Sequence, residues 1–502
     1  MMLFGLYIAR REKSKNAKDY FLADKSLPWW AVGGSLIASN ISAEQMIGMA
    51  GSGFAIGFAI SSYELMAAAT LIIVAKFLLP VFLKNDIYTM PQFIEQRFDS
   101  RVRVGLAIFW VLLFVFVNIT SLFYLGGLAI ENIFGVSFMT AVLCLAVYSA
   151  TFSIFGGLKA VVWTDVIQVV VLILGGTIAS VMILNAVSDG GGVIAGLSTL
   201  LEKAPEKFDI ATGEEKSAYD MLPGLSVLIG GMWIANLYYW GFNQYIIQRA
   251  LAAKSIKEAQ KGVAFAALIK LFIPFIVVIP GIAAFVLNAD ISKADEAYPW
   301  VLNNFVGTGF KGIAVAALVA AIGSSLSSMA NSVSTIFTLD IYKTAFNRNA
   351  SDSQLVNVGK ITAALSLIIG IIVSPRLADF GEAFSAIQKF TGYFSPGILA
   401  IFLFGLFWKK TTTPAALTAV FIALPLSWGI DMYSGLPFID QMGICFLIIS
   451  AVLIGVSLVT QNSSDNAKAV QLEDGIFSTS MSFNLASILI FGILAAIYAV
   501  WW

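Results

Sequence analysis

The sequence has no histidine, and among its 502 residues there are only two cysteines and 12% charged side chains. Each shortage excludes something. Without His there is no zinc–histidine centre, no Ser–His–Asp triad and no histidine proton relay. Cys144 and Cys445 lie singly in apolar runs, so neither a CxxC motif nor a disulfide framework arises. A soluble globule carries roughly 25% charged residues. The chain has too few to clothe the three soluble domains that its length suggests at about 150 residues each. Thirty basic residues cancel thirty acidic ones, so no nucleic-acid footprint is expected. What is present is apolar: 59% of the residues, with a mean hydropathy of +0.86. The composition is that of an all-α polytopic membrane protein.

A spanning helix needs about 20 mostly apolar residues. The pattern predicts thirteen spans, near 27–52, 56–83, 104–131, 138–156, 161–187, 222–247, 260–288, 312–338, 357–375, 380–408, 413–431, 438–459 and 482–502. Met1–Ala9 is apolar but short, and is expected to be part of a first helix whose first half is missing, the alternative being a piece that only lies in the interface. The basic run Arg10, Arg11, Lys13, Lys15 and Lys18 follows it, as befits a stretch leaving the membrane. No cleavable leader is read there. With loop 10–26 assigned to the cytoplasm, alternating loops hold 21 basic residues inside and 6 outside. That bias sets the orientation. Loop 188–221 is then external, with room for a short helix, and the polar segment 460–480 is expected to be a mobile cytoplasmic linker.

The polar interruptions carry the functional information. In LIASNISAEQMIG, Ser39, Asn40, Ser42, Glu44 and Gln45 fall inside an apolar span. Five spans later, Asn236, Gly241, Asn243 and Gln244 interrupt IANLYYWGFNQYIIQR beside Tyr238, Tyr239 and Trp240. Non-helical backbone at membrane depth persists only within protein or along a cavity. Two broken spans, each opening a group of five, predict an inverted repeat with a site at the midplane. Ordinary polar contacts between helices are the alternative. A third disturbance, at Gln388, Thr391, Gly392 and Pro396, falls in the tenth span.

Ionisable residues inside spans are few, and each is a functional candidate. Glu64, Lys270 and Asp165 qualify, and a Glu64–Lys270 pair would neutralise both charges. The span AALVAAIGSSLSSMANSVSTIF concentrates Ala321, Gly323, Ser324, Ser325, Ser327, Ser328 and Ser332. These suit close helix packing. They equally suit a hard alkali cation, which takes carbonyl and hydroxyl oxygens. Unwound backbone at Ala38 to Ile41 would supply the carbonyls.

At DYFLADKSLPWWAVGGSLIASNISAEQ, VVWTDVIQV, ANLYYWGFNQYIIQRALAAKS, AIGSSLSSMANS and SPGILAIFLFGLFWKK the chain resembles the solute:sodium symporter family over nearly its whole length. The resemblance implies the leucine-transporter-like fold: two inverted five-helix repeats plus flanking helices, in one transport domain. The first repeat is placed at 27–187, the second at 222–408 and additional helices at 413–502. It implies sodium held by the carbonyls of Ala38, Ile41 and Ala321 and the hydroxyls of Ser324 and Ser325. It implies a sugar met by Gln45, Glu64, Asn236, Lys270 and Gln388. Tyr239 is implied to stack on the ring as an inner gate, backed by Asn40 and Trp240, with Met49, Tyr63 and Phe384 closing from outside. Side chains that alternate donors and acceptors, with an aromatic face, suit a neutral polyol.

A sugar-transporting member has Trp and Ser after this Glu, where this chain has Leu65 and Ala67, so the hexose is left open. Members with a second sodium carry hydroxyls at the positions of Ser324, Ser327 and Ser328 and an acid at that of Asp165. All four are present, and residues 324, 327 and 328 share one helix face. They are expected to form either the sodium exit path or a second sodium site. The expected protein is therefore a sodium-driven sugar importer of a bacterial inner membrane, working by alternating access. Its partners are sodium, sugar and the lipid bilayer. Another small solute, such as an acidic sugar or nucleoside, is the alternative within the family, and a sensor or channel on the same fold is the alternative outside it. No nucleophile–base pair suggests an enzyme.

Overall fold

The computed structural model describes residues 25–87, 89–153, 158–211, 218–461 and 463–502, so the expectation for Met1–Ala9 lies outside the described residues. Helix α1 (Trp29–Asn40) stops inside the membrane span and resumes, through a widened turn at Glu44–Gly48, as α2 (Met49–Ile56). The stop is local chemistry. Ile41 is extended at φ −76°, ψ 96°. Gln45 Oε1 then accepts from both the backbone N and the hydroxyl of Ser42, each at 3.3 Å. Such polar side chains offer the backbone an alternative to helix. Gly57, at φ +79°, turns the chain into α3 (Ser62–Ile73) and α4 (Leu79–Lys84). A β-carbon at Gly57 would stand 2.3 Å from the Lys207 carbonyl, so only glycine fits.

The short α5 (Met90–Arg97) precedes α6 (Ser100–Leu113), α7 (Thr120–Phe134), α8 (Phe138–Ser153) and α9 (Leu158–Val187). Asp99 caps α6 by accepting from the Arg101 and Val102 amides. The outer loop contains α10 (Gly192–Lys203), matching the expected short helix. A second group then begins with α11 (Leu225–Ile229) and α12 (Gly231–Leu237). It breaks at a widened turn over Tyr238–Phe242 and resumes as α13 (Gln244–Leu251). Asn243 is extended at φ −82°, ψ 115°, the counterpart of Ile41. Next come α14 (Ile256–Lys270), α15 (Ile273–Val286), α16 (Ala297–Asn304), α17 (Thr308–Thr335) and α18 (Asp352–Val373). The pair α19 (Ala383–Gly392) and α20 (Ser395–Phe407) is bent by 47°. The last helices are α21 (Thr413–Ser434), α22 (Phe438–Val459), the short α23 (Ser463–Ala467) and α24 (Met481–Trp501). Five crossings separate the two breaks, and an odd number inverts the second group relative to the first.

The broken helices sit at the centre because glycine lets neighbours reach their backbones. A β-carbon on Gly33 would lie 2.6 Å from the Gly262 carbonyl, and one on Gly262 would lie 2.6 Å from that of Trp29, so α1 and α14 nearly touch. The same holds for α2 and α15, where a β-carbon on Gly281 would meet the Ala50 carbonyl at 1.9 Å. Small residues at such crossings are how helices pack tightly in lipid. The periphery is apolar and open: Ile361 and Ile372 on α18, Phe421 and Trp428 on α21, Leu447 on α22 and Ile488 on α24 are exposed.

One expectation fails. Segment 460–480 is not a free linker. Asp465 accepts from the Thr413 amide at 3.1 Å and its hydroxyl at 2.7 Å, and Lys468 donates to the Phe98 carbonyl at 2.7 Å. Arg97, at the end of α5, is buried and donates to the carbonyls of Gly405, Trp408, Lys409, Thr411 and Asp465. Carbonyls left open at the end of α20 attract that cation.

Candidate transport site

Between the two breaks, five side chains form one continuous polar chain. Glu64 on α3 accepts from the Lys270 ammonium at the end of α14, and Lys270 also donates to Asn40 Oδ1 at the end of α1. Asn40 Nδ2 donates to the Tyr239 hydroxyl at 3.2 Å. The Tyr239 and Tyr245 hydroxyls are 2.6 Å apart. Lys270 lies fully buried, 5.1 Å above the Trp240 ring, a cation–π contact. Charges taken this far from water need paired, hydrogen-bonded partners, and both have them. The expected Glu64–Lys270 partnership is present. Asn40, expected only behind the gate, is the link that joins the pair to Tyr239.

The other expected sugar contacts lie on the widened turn before α2, on α12 and on α19. Gln45 is buried, with its carbonyl turned to Ser42. Asn236 is buried and spends one amide donor on the Met232 carbonyl at 3.2 Å. Gln388 lies half-buried on α19. On the outer side the rings of Tyr63 and Phe384 meet edge to face at 5.3 Å, and with Met49 they are buried. On the inner side Tyr239 packs edge-on against Trp240 at 5.1 Å. Leu65 and Ala67 are both buried.

The expected sodium ligands divide between two elements. Ala38 and Ile41 flank the α1 break, where the last helical carbonyls lack amide partners. Ala321, Ser324, Ser325, Ser327 and Ser328 lie along α17. Asp165 on α9 bridges them: Ser35 of α1 donates to its Oδ2 at 3.0 Å, and Ser324 donates to its Oδ1 at 3.5 Å. Ser325 and Ser328 are half-buried, and Ser327 is buried.

Sequence reasoning missed Arg249. It counted as a cytoplasmic loop charge, yet it is buried, 3.4 Å from Asp165 Oδ2 and 3.1 Å from the Ser35 hydroxyl. It also donates to the Tyr245 carbonyl. A lone Arg closing a broken span was the available signal. Glu44 was seen only as part of a polar run. Its carboxylate accepts from the Ser121 hydroxyl at 2.6 Å. Among the described residues no cluster of three or more His, Cys, Asp or Glu side chains could hold a metal ion.

The sequence profile of the family described as Sodium:solute symporter family matches residues 20–423. The sodium/glucose cotransporter of Vibrio parahaemolyticus is 49% identical, over 99% of this chain and 95% of that protein. The mouse sodium/myo-inositol cotransporter 2 is 31% identical over 85% of this chain and 67% of its own length. A Na+-coupled sialic acid symporter, solved in a substrate-bound outward-open state, aligns with a TM-score of 0.77. At 24% identity, over 91% of this chain and 95% of that one, it speaks for the fold. That fold is the leucine-transporter-like arrangement of two inverted five-helix repeats with flanking helices. The chain belongs to the sodium:solute symporter family: it is a multi-pass membrane protein that couples solute movement to sodium, and not an enzyme.

Proposed function

We propose that this symporter imports a neutral hexose, of the glucose or galactose kind, across a bacterial plasma membrane, with the polar chain between the two breaks as its sugar site. One observation carries this: the two buried cations beside the breaks are already matched. Lys270 belongs to Glu64 and Arg249 to Asp165. A carboxylated sugar needs an unpaired cation, whereas a neutral polyol needs donors and acceptors held in place. Gln45, Glu64, Asn236, Lys270 and Gln388 supply those, and Tyr239 supplies an aromatic face for the C–H side of a ring. The glucose cotransporter relative supports the same substrate class.

In this scheme the carbonyls of Ala38, Ile41 and Ala321 and the hydroxyls of Ser324 and Ser325 hold sodium, which orders the α1 break and so sets Asn40 and Gln45 for sugar. Met49, Tyr63 and Phe384 close over the sugar from outside. Inward release begins when Tyr239 parts from Asn40. Asp165, Ser327 and Ser328 line the sodium exit path. Arg249 already neutralises Asp165, so a second cation there would have to displace a guanidinium. That favours exit over a second site. Uptake of labelled glucose, galactose, sialic acid and a nucleoside into proteoliposomes, with and without an inward sodium gradient, tests the proposal. Accumulation of a neutral hexose alone is expected. Accumulation of the acid or the nucleoside in its place would refute it.

A further inference from the structure

Two carboxylates unused by the transport scheme gather at one helix end on the outer side. Asp295 lies in a short turn, Ala294–Glu296, of the loop before α16, and is completely buried. Glu382 precedes α19 and is buried too. Both cap the same helix. Asp295 Oδ2 accepts from the Ala383 amide at 3.2 Å, Glu382 Oε1 from that of Phe384 at 2.9 Å, and Glu382 Oε2 from that of Ser385 at 2.8 Å. Glu382 Oε1 also accepts from the Ser52 hydroxyl of α2 at 2.6 Å. Asp295 Oδ1 has no hydrogen-bond partner, and it lies against α2, where a β-carbon on Gly51 would be 2.8 Å away. The outer half of the first broken helix, the outer half of the tenth span and the external loop thus converge on one acid pair. Phe384 of the outer gate stands two residues along.

No Lys or Arg nitrogen lies within 4 Å of either carboxylate among the described residues. Three amides, which are the helix N-terminus itself, and one hydroxyl favour a single anion there, since that N-terminus carries only about half a charge. Two adjacent carboxylates in such a place cannot both stay ionised. Burial first, and then the Glu382 charge, holds the Asp295 carboxyl well above the usual carboxylate range. The unpartnered Oδ1 is the place left for a proton.

The other ionisable groups nearby are accounted for. Lys293 and Glu296 flank Asp295 with opposite signs. The Tyr124 phenol on α7 faces Asp295, and the Tyr63 phenol on α3 faces Glu382. Glu131 of α7 accepts from the Phe138 amide, Glu44 from Ser121, and Lys389 of α19 pairs with Asp431. Asp440 at the start of α22 is tied to Ser226, while Arg376 and Asp379 before α19 are exposed.

We propose that Asp295 and Glu382 bind one proton between them, taken from the external solution, and that this proton latches the outer gate shut. The latch rests on Met49, Tyr63 and Phe384 acting as that gate. When the gate opens, α2 and α19 part, water reaches both carboxylates and the proton leaves. The closed state therefore holds the proton more tightly than the open one. Lowering the external pH favours closure, and raising it favours opening. Sodium enters from outside only when the gate is open, so acid weakens the apparent sodium affinity. The limit is about tenfold per pH unit for one proton, between the open-state and closed-state pKa values.

The test uses proteoliposomes with a fixed internal pH and an external pH stepped through the acid-to-neutral range. The readout is the sodium concentration that gives half-maximal hexose uptake. In the wild type it should rise as external pH falls. In Asp295→Asn and Glu382→Gln it should stay nearly constant while uptake continues. A pH-independent wild type, or an unchanged slope in Asp295→Asn, would overturn the latch and leave the transport scheme intact. Absence of sodium-driven uptake of any hexose would remove the gate assignment and the latch with it. Should the variants fail to insert, glucose or galactose added to sodium-saturated wild-type protein in weakly buffered detergent decides. Net proton uptake approaching one per transporter supports the latch, and none overturns it.

Discussion

Lys270 is held by Glu64 and Asn40 and is completely buried, and that sets what its loss does. Lys270→Ala strands the Glu64 carboxylate, a change that typically costs about 3–5 kcal/mol for a buried pair. Both thermal stability and sugar uptake should fall. The double change Glu64→Gln with Lys270→Met removes both charges together. It should recover most of the stability, measured by thermal unfolding in detergent, while uptake stays lost. Recovered uptake in the double variant would take the pair out of the sugar site. Tyr239 separates two roles in the same way. Tyr239→Phe keeps the ring but loses the hydroxyl contacts to Asn40 and Tyr245. It should bind sugar within a few-fold of wild type yet leak sugar inward faster, whereas Tyr239→Ala should abolish coupled uptake. At this scale the stranded charges were legible in the sequence because hydrocarbon tolerates so few. Arg249 was not. Composition cannot say whether an Arg at the end of a broken span has reached the surface or has turned back to Asp165.

The elements follow from where the helix ladder is interrupted. The breaks at Ile41 and Asn243 were legible, since the first gathers Ser, Asn and Gln and the second Asn, Gly and Gln in spans that are otherwise apolar. The contacts that bring these breaks together were not, because they depend on which of 42 glycines face one another. Gly262 is the clearest case. A β-carbon there would stand 2.6 Å from the Trp29 carbonyl and 2.8 Å from Val32. Gly262→Ala should therefore push α1 off α14 and cost about 1–3 kcal/mol, as overpacking does. It should also move Asn40 away from Lys270 and weaken sugar binding. Gly455→Ala on α22 is the control, since nothing lies within 4 Å of its β-carbon position. Thermal unfolding of the two variants side by side checks this, and equal stability would mean that α1 and α14 can separate without cost. The anchoring of Asp465 and Lys468 escaped the sequence for a related reason. The polar composition of segment 460–480 is that of a linker, and its anchors, Thr413, Arg97 and Phe98, are remote in the chain.

Across the whole molecule, the spans and the charge asymmetry of the loops fixed the class, because lipid leaves a chain few alternatives. The substrate depends on something finer, the neutral balance of the pocket, which emerges only when Glu64 meets Lys270 and Asp165 meets Arg249. The central claim is that sodium and a neutral hexose move together through that pocket. The most direct test is to follow radioactive sodium and labelled hexose entering the same proteoliposomes. Hexose should accelerate sodium entry in a fixed ratio, close to one sodium per sugar. Lys270→Ala should abolish the hexose-dependent part. Sodium entry indifferent to hexose, or hexose accumulation that persists without sodium, would contradict the account.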